Sequence, residues 1–176
     1  MRVLLTGGTG FIGSQVAQEL LGAGHQLRIL VHETPVPKDL SRYDESIETV
    51  RSDFADLGPS AFDGIDALVH LAWTSVPHST VREPRIDVTN NVLGTLHLLE
   101  QCTRAGGVRF VFFSTGGAVY GPTSLSKIDE THPVHPISSY GVTKVAAEHY
   151  VRFFERVHGL ENVILRAANA YGPGQG

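Results

Sequence analysis

A doubly wound α/β fold, one parallel sheet with helices on both faces, is the architecture this sequence predicts. Three observations predict it. Short apolar runs rich in β-branched and aromatic residues alternate with helix-period segments along the chain, the order of repeated strand, helix, strand units. The strand-like runs are nearly continuous in apolar residues, as strands covered on both faces are. The first run leads straight into LLTGGTGFIG at 4–13, which sets three glycines at intervals of three, Gly7, Gly10 and Gly13, ahead of an apolar helical stripe.

Taken in order, residues 3–6 form the first strand and 11–23 the first helix, with Ile12, Val16, Leu20 and Leu21 on one stripe. Between them Gly7 permits a tight turn, Gly10 lets a diphosphate approach the backbone, and Gly13 lets the helix pack on the strand. The free N–H groups at Phe11 then face phosphate. A glycine turn directly after a strand and before a helix is the context that turns this spacing into a dinucleotide site. Strands follow at 27–31, 47–51 and 67–71, a helix at 86–105, a strand at 110–114, a helix at 139–158 and a last strand at 163–166. Segments 32–44 and 121–138, rich in Pro, Ser and charge, read as surface loops, where ligand contacts concentrate. No internal repeat is present.

Composition narrows the function classes. A length of 176 residues with 41% apolar and 18% charged content predicts a single globular domain over 1–176. The formal charge of -4, with no run of Lys or Arg, offers no basic surface for nucleic acid or an anionic membrane, so the expected partners are small molecules. One cysteine, Cys102, makes no internal disulfide. Met1 leads directly into a strand, and no apolar run approaches the roughly 20 residues of a membrane helix. The expected location is the cytoplasm. THPVH at 131–135 lacks metal-ligand spacing, and Ser114 stands outside a G-x-S-x-G elbow, so neither a metal site nor a hydrolase is expected.

Tyr140 and Lys144 carry the candidate chemistry. Four residues apart on a helix, they share one face. A free phenol has a pKa of about 10, and a nearby cation favours the phenolate. Tyr140 is thereby a candidate to take a proton from a hydroxyl and to return it in the reverse direction.

The glycine spacing is G-x-x-G-x-x-G, and with Asp53, LVHLAW (68–73), NNVLGT (90–95), FFSTGGAVYG (112–121), YGVTK (140–144) and LRAANAYGPG (165–174) the chain resembles the extended short-chain dehydrogenase/reductase family. Within it the likeness is to NAD-dependent epimerases and dehydratases of the UDP-galactose 4-epimerase type. The resemblance implies a Rossmann-like sheet, a bound NAD, a nucleotide-sugar substrate, 4-epimerisation by transient hydride transfer, and a homodimer. Among cofactor contacts it implies Gly7, Gly10, Phe11, Ile12, Gly13, His32, Asp53, Phe54, Leu71, Ala72, Trp73, Asn91, Tyr140 and Lys144. Asp53 is placed to accept from the adenine amino group, with Asp56 or a helix-capping role as alternatives. Asn91 is placed to hold the geometry near the reacting centre or to cap a turn. Asn169 matches the position that contacts the sugar-nucleotide diphosphate.

Two departures bear on function. Where the family has a Ser or Thr that bonds the substrate oxygen, this chain has Gly116; Thr115 or Ser114 is then the candidate third catalytic group. The next two positions, Gly117 and Ala118, lack the carboxylates of a 4,6-dehydratase. The acidic residue expected at the end of the second strand is also missing: Val31 and His32 stand there, with Glu33 two residues late. Glu33 turned inward favours NAD, whereas Arg28, His32 or Lys38 facing the ribose admits NADP. An NADP-dependent reductase of a carbonyl or sugar ketone and a non-catalytic dinucleotide-binding regulator are the alternatives. Family members continue for more than a hundred residues as a substrate lobe, so this polypeptide is expected to hold cofactor groups and the Tyr-Lys pair but to bind sugar nucleotide poorly.

Overall fold

In the computed structural model, which describes residues 1–32, 34–75, 84–172 and 175, six strands form one parallel sheet in the order β3-β2-β1-β4-β5-β6. The strands are β1 (Arg2–Thr6), β2 (Gln26–Val31), β3 (Ile47–Arg51), β4 (Ala67–His70), β5 (Arg109–Thr115) and β6 (Asn162–Ala167). Helix α1 (Phe11–Gly22) joins β1 to β2. Short α2 (Pro84–Asp87) runs through a π turn at Val88–Val92 into α3 (Leu93–Ala105), and α4 (Ser139–His158) joins β5 to β6. Each expected strand and helix is present within a residue or two of its predicted ends.

Alternation along the strands divides the core between the two faces. Val3, Leu5, Leu27 and Ile29 pack with Ala17 and Leu21 of α1 on one side. Leu4, Leu68, Phe110 and Phe112 pack with Leu98 and Leu99 of α3 and Val151 and Phe154 of α4 on the other. After β3 the chain crosses back beside β1 to form β4, so the carboxyl ends of β1 and β4, where Thr6 pairs with His70, open a crevice at the point where strand order reverses. Ligands of open α/β sheets bind at such points.

Three details differ from expectation. The buried face of α1 runs through Gly13, Ala17 and Leu21, with Val16 and Leu20 half-buried at its flank, because the close approach at Gly13 draws that side onto the sheet. Edge position leaves β3 and β6 partly open, Val163 and Leu165 each 43% exposed. The loop after β2 contains a 3-10 segment at Lys38–Ser46 whose Leu40 is fully buried.

Candidate functional site

The glycine turn is built by steric exclusion. Gly7 has φ +72°, and a Cβ there would lie 2.7 Å from the Ala72 nitrogen, so the ends of β1 and β4 meet closely only without a side chain. A Cβ on Gly13 would collide with the Gly7 carbonyl oxygen. At Gly10 the nearest atom would be Gly7 O at 3.4 Å, so that face is open. Gly10 caps α1 with no side chain of its own, and the first turn holds no acidic residue, leaving the helix N–H groups without an internal anion. The cradle therefore fits the diphosphate of a dinucleotide. Beside it lies a cleft of about 320 Å³ lined by Gly7, Gly10, His32, Asp53, Phe54 and Trp73 among others. Thr9 and Ser52, not singled out from the sequence, also line it.

One Asp53 oxygen accepts the Ala55 N–H at 2.8 Å, so the capping role raised by the sequence is filled while the residue still borders the cleft. Arg28 does not face a ribose. It is 6% exposed, its Nη1 donates to Ala61 O at 2.7 Å, and its Nη2 pairs with Glu48 at 2.9 Å. Glu33 lies outside the described residues.

A second cleft, about 970 Å³, holds Phe11, Ile12, Leu71, Trp73, Thr115, Tyr140, Lys144 and Asn169 on its walls. Local sequence explains why Tyr140 and Thr115 meet. Ser138 caps α4 by accepting the Gly141 N–H at 3.1 Å, and a Cβ at Gly141 would lie 2.5 Å from Ala118 O. The first turn of α4 is thus pressed against the turn after β5. The Thr115 hydroxyl accepts the Gly117 N–H at 3.2 Å and lies on the cleft wall with Tyr140, where it favours the ionised phenol. Ser114, the other candidate, also borders this cleft, and its hydroxyl donates to Glu148 Oε1 at 2.6 Å. Glu148 in turn pairs with Arg166 at 2.7 Å, and Arg166 also donates to the Tyr120 hydroxyl at 3.0 Å.

Burial raises the Tyr140 phenol above its ordinary value, with the Asp87 charge adding to the shift and the Thr115 hydroxyl opposing it. Lys144 is not among the groups that shift this phenol. Lys144 Nζ donates to Phe113 O at 2.7 Å and sits 3.7 Å from the centre of the Trp73 ring, against 5.9 Å for the Tyr140 ring. Burial pushes this ammonium down to about 7, with Glu148 and Asp87 holding it up.

Behind the cleft a hydrogen-bonded chain crosses the core in one direction. The Ala72 N–H donates to Thr6 Oγ1, and the Thr95 hydroxyl donates to Asn91 O at 2.7 Å. Between them His70 Nδ1 therefore accepts from Thr6 and Nε2 donates to Thr95, at 2.8 and 3.0 Å. Burial drives His70 down to about 3, so the ring is neutral. Asn91 Oδ1 accepts the Thr74 N–H at 2.9 Å and the Thr74 hydroxyl, while Nδ2 donates to Asp87 at 2.8 Å and to Ser75. Its amide is thus engaged by the protein, and Asn91 holds the segment after β4 to the π turn. Asp87, fully buried, also accepts from Ser75 and from Ser139, the latter at 2.9 Å, tying α2 to the residue before Tyr140. The π turn presents Asp87 and Asn91 together to the interior, as such turns often do near functional sites.

Among the described residues no helix is long and apolar enough to cross a membrane, and no three His, Cys, Asp or Glu side chains gather where they could hold a metal ion.

Comparison with known proteins gives a consistent neighbourhood. The model of the NAD dependent epimerase/dehydratase family matches residues 3–176. A putative UDP-glucose 4-epimerase of Methanocaldococcus jannaschii is 35% identical over 98% of this chain and 57% of its own length. The crystal structure of the UDP-glucose 4-epimerase of Thermotoga maritima with UDP-glucose superposes with TM-score 0.90 at 36% identity, covering 100% of this chain and 58% of that one. The Thermus thermophilus UDP-glucose 4-epimerase in complex with NAD gives 0.87, again at 36% identity, with the same coverage of both chains. This chain therefore spans somewhat over half the length of the relatives it matches.

Proposed function

The chain belongs to the NAD dependent epimerase/dehydratase family, and we propose that it is the dinucleotide-binding part of an NAD-dependent nucleotide-sugar 4-epimerase. The observation that carries the reading is the convergence of Thr115, Tyr140 and Lys144 on one cleft, with the open glycine turn and Phe11 at its edge. Similarity to enzymes solved with NAD and with UDP-glucose supports the same assignment.

NAD, when bound, would supply the hydride acceptor for the oxidation and the hydride donor for the reduction that restores the alcohol. The Gly7–Gly13 turn and the α1 N-terminus would hold its diphosphate, with Asp53, Phe54, His32, Leu71, Ala72 and Trp73 bordering the nucleoside. Tyr140 Oη removes a proton from the sugar hydroxyl and returns it after the keto-sugar has turned. Thr115 donates to the phenolate oxygen and so stabilises the form that acts as base. Lys144 lies on the wall of the same cleft, its Nζ held by Phe113 O. Asn169, exposed at the end of β6, is offered to the sugar-nucleotide diphosphate.

The reading extends to a single unit over 1–176, a homodimer and a cytoplasmic location. The exposed apolar side chains Leu93 of α3 and Tyr150, Phe153 and Val157 of α4 favour pairing through these helices, and the buried, unpaired Cys102 suits a reducing compartment. Purified protein denatured and analysed by mass spectrometry should release NAD, and incubation with UDP-galactose at high concentration should yield UDP-glucose slowly, a conversion abolished by Tyr140→Phe. Release of no dinucleotide, or of NADP alone, would overturn the assignment.

A further inference from the structure

We propose that Trp73 is a positioning residue for Lys144, its indole face serving as the shelf that holds the amine in place on the Tyr140 side of the cleft and favours its charged form. The distance is short: Nζ lies 3.7 Å from the Trp73 ring centroid and 4.8 Å from that of Phe112. Lys144 is only 3% exposed, and its side chain has one hydrogen-bond acceptor among the described residues, Phe113 O at 2.7 Å. An ammonium has three donors, so most of its lost hydration is offset by ring faces and by charge. The groups that face it are Glu148 on its own helix, Asp87 of α2, Tyr140 one turn away and the neutral His70 of β4. Trp73 touches both members of the pair, since its ring also meets that of Tyr140 edge-on at 6.4 Å and 86°.

The indole nitrogen explains why the ring face is the useful part. Nε1–H of Trp73 is buried and has no hydrogen-bond partner among the described residues. Such a stranded donor lowers stability, and phenylalanine would lack it while filling less of the niche. What tryptophan adds is the larger and more negative π face, the best of the aromatic side chains for a cation. Trp73 also lines both clefts, so the shelf lies where the two halves of a dinucleotide site join. Its part in catalysis rests on the function proposed above; its hold on the ammonium does not.

The chain has three lysines, Lys38, Lys127 and Lys144. Protein labelled with ¹³C-lysine therefore gives three sets of ε-methylene signals, and Lys144→Arg identifies the one of interest. In the wild-type protein the Lys144 ε protons should lie upfield of the other two sets through the indole ring current, with a titration midpoint near 7. In Trp73→Phe the upfield displacement should shrink and the midpoint should fall further, by roughly half a pH unit or more. Trp73→Leu should show the larger loss, so that Phe counts as partial rescue. A merely space-filling tryptophan predicts an unmoved Lys144 in both variants, whatever their thermal stability. Wild-type Lys144 signals that coincide with those of Lys38 and Lys127, or a midpoint unchanged in both variants, would overturn the proposal. Because no dinucleotide enters these measurements, a protein that releases no NAD would sink the proposed function and leave this result standing.

Discussion

Thr115 and Tyr140 line the same cleft, and the Thr115 hydroxyl lies near enough to the phenol to favour its ionised form, beside the position that Gly116 leaves without a hydroxyl. Geometry one residue along the strand explains it. Thr115 is the last residue of β5, and the turn that follows is pinned by the Gly116 N–H donating to Ala167 O at 2.6 Å. A Cβ at 116 would lie 3.1 Å from Arg166 O. The backbone there is thus turned toward β6, and the hydroxyl that can reach the phenol comes from 115.

Thr115→Ala should lower the epimerisation rate by roughly ten- to a hundredfold, within the range of a lost acid–base partner. Thr115→Ser should retain most of it. The hydroxyl lowers the phenol's pKa, so its removal should also move the alkaline rise of the pH–rate profile to higher pH. Adding Gly116→Ser to Thr115→Ala should not restore activity, since Cβ at 116 faces the Arg166 carbonyl. Full activity in Thr115→Ala, or rescue by the double variant, would assign the role elsewhere.

Lys144 makes a stability prediction with a definite sign. Burial brings it from 10.5 down to about 7, so between those values the unfolded chain binds a proton that the folded chain has released. Stability from this group therefore rises as pH goes from about 7 toward 10. Denaturant titrations of wild type and Lys144→Met across that window should show the wild type gaining on the variant as pH rises. A constant difference would mean that Lys144 titrates at its ordinary value in the folded protein.

The architecture was legible because strand order, glycine spacing and helix period all report the same units of backbone. The pair Tyr140 and Lys144 was legible for a similar reason, a four-residue spacing on one helix. What the sequence did not show is what lies across elements. Whether Ser114 or Thr115 serves the phenol depends on the pleat of β5: Ser114 donates to Glu148, and the Thr115 hydroxyl bears on the phenol. Glu148 could have been noticed one turn beyond Lys144, but its partner Arg166 is a residue of another strand. Asp87 and the π turn carried no local signal, because only the fold brings Ser75, Asn91 and Ser139 around that carboxylate. Arg28 was a candidate ribose contact on charge alone, and the carbonyls of Ala61 and Asp63 claim it instead.

His70 should make the protein acid-sensitive through one identifiable group. Its folded value of about 3 lies below the ordinary 6.5, so on acidification the unfolded chain takes up the proton first and stability falls from about pH 6.5 downward. His70→Gln, which retains a donor and an acceptor, should be less stable at pH 7 because the Thr6–Thr95 link is fitted to an imidazole. The gap to wild type should then narrow as pH falls toward 4. A gap independent of pH in urea titrations would place the acid sensitivity on other groups.

Gly10 and Gly13 separate ligand binding from folding. At Gly13 an added methyl group meets the Gly7 carbonyl inside contact distance, so the turn between β1 and α1 has to move. Gly13→Ala should therefore lower the thermal midpoint and release dinucleotide together. At Gly10 the same methyl meets only Gly7 O at 3.4 Å and otherwise projects into the open cradle. Alanine there costs the fold little, and removes some unfolded-chain freedom, so the thermal midpoint of ligand-free Gly10→Ala should stay within a few degrees of wild type. Its dinucleotide affinity should nonetheless fall at least tenfold, because the methyl occupies the space through which phosphate reaches the helix N–H groups. Calorimetric titration with NAD reads this directly. Equal affinity in Gly10→Ala would place the diphosphate away from the glycine turn, and with it would go the assignment of α1 as the anion-binding helix.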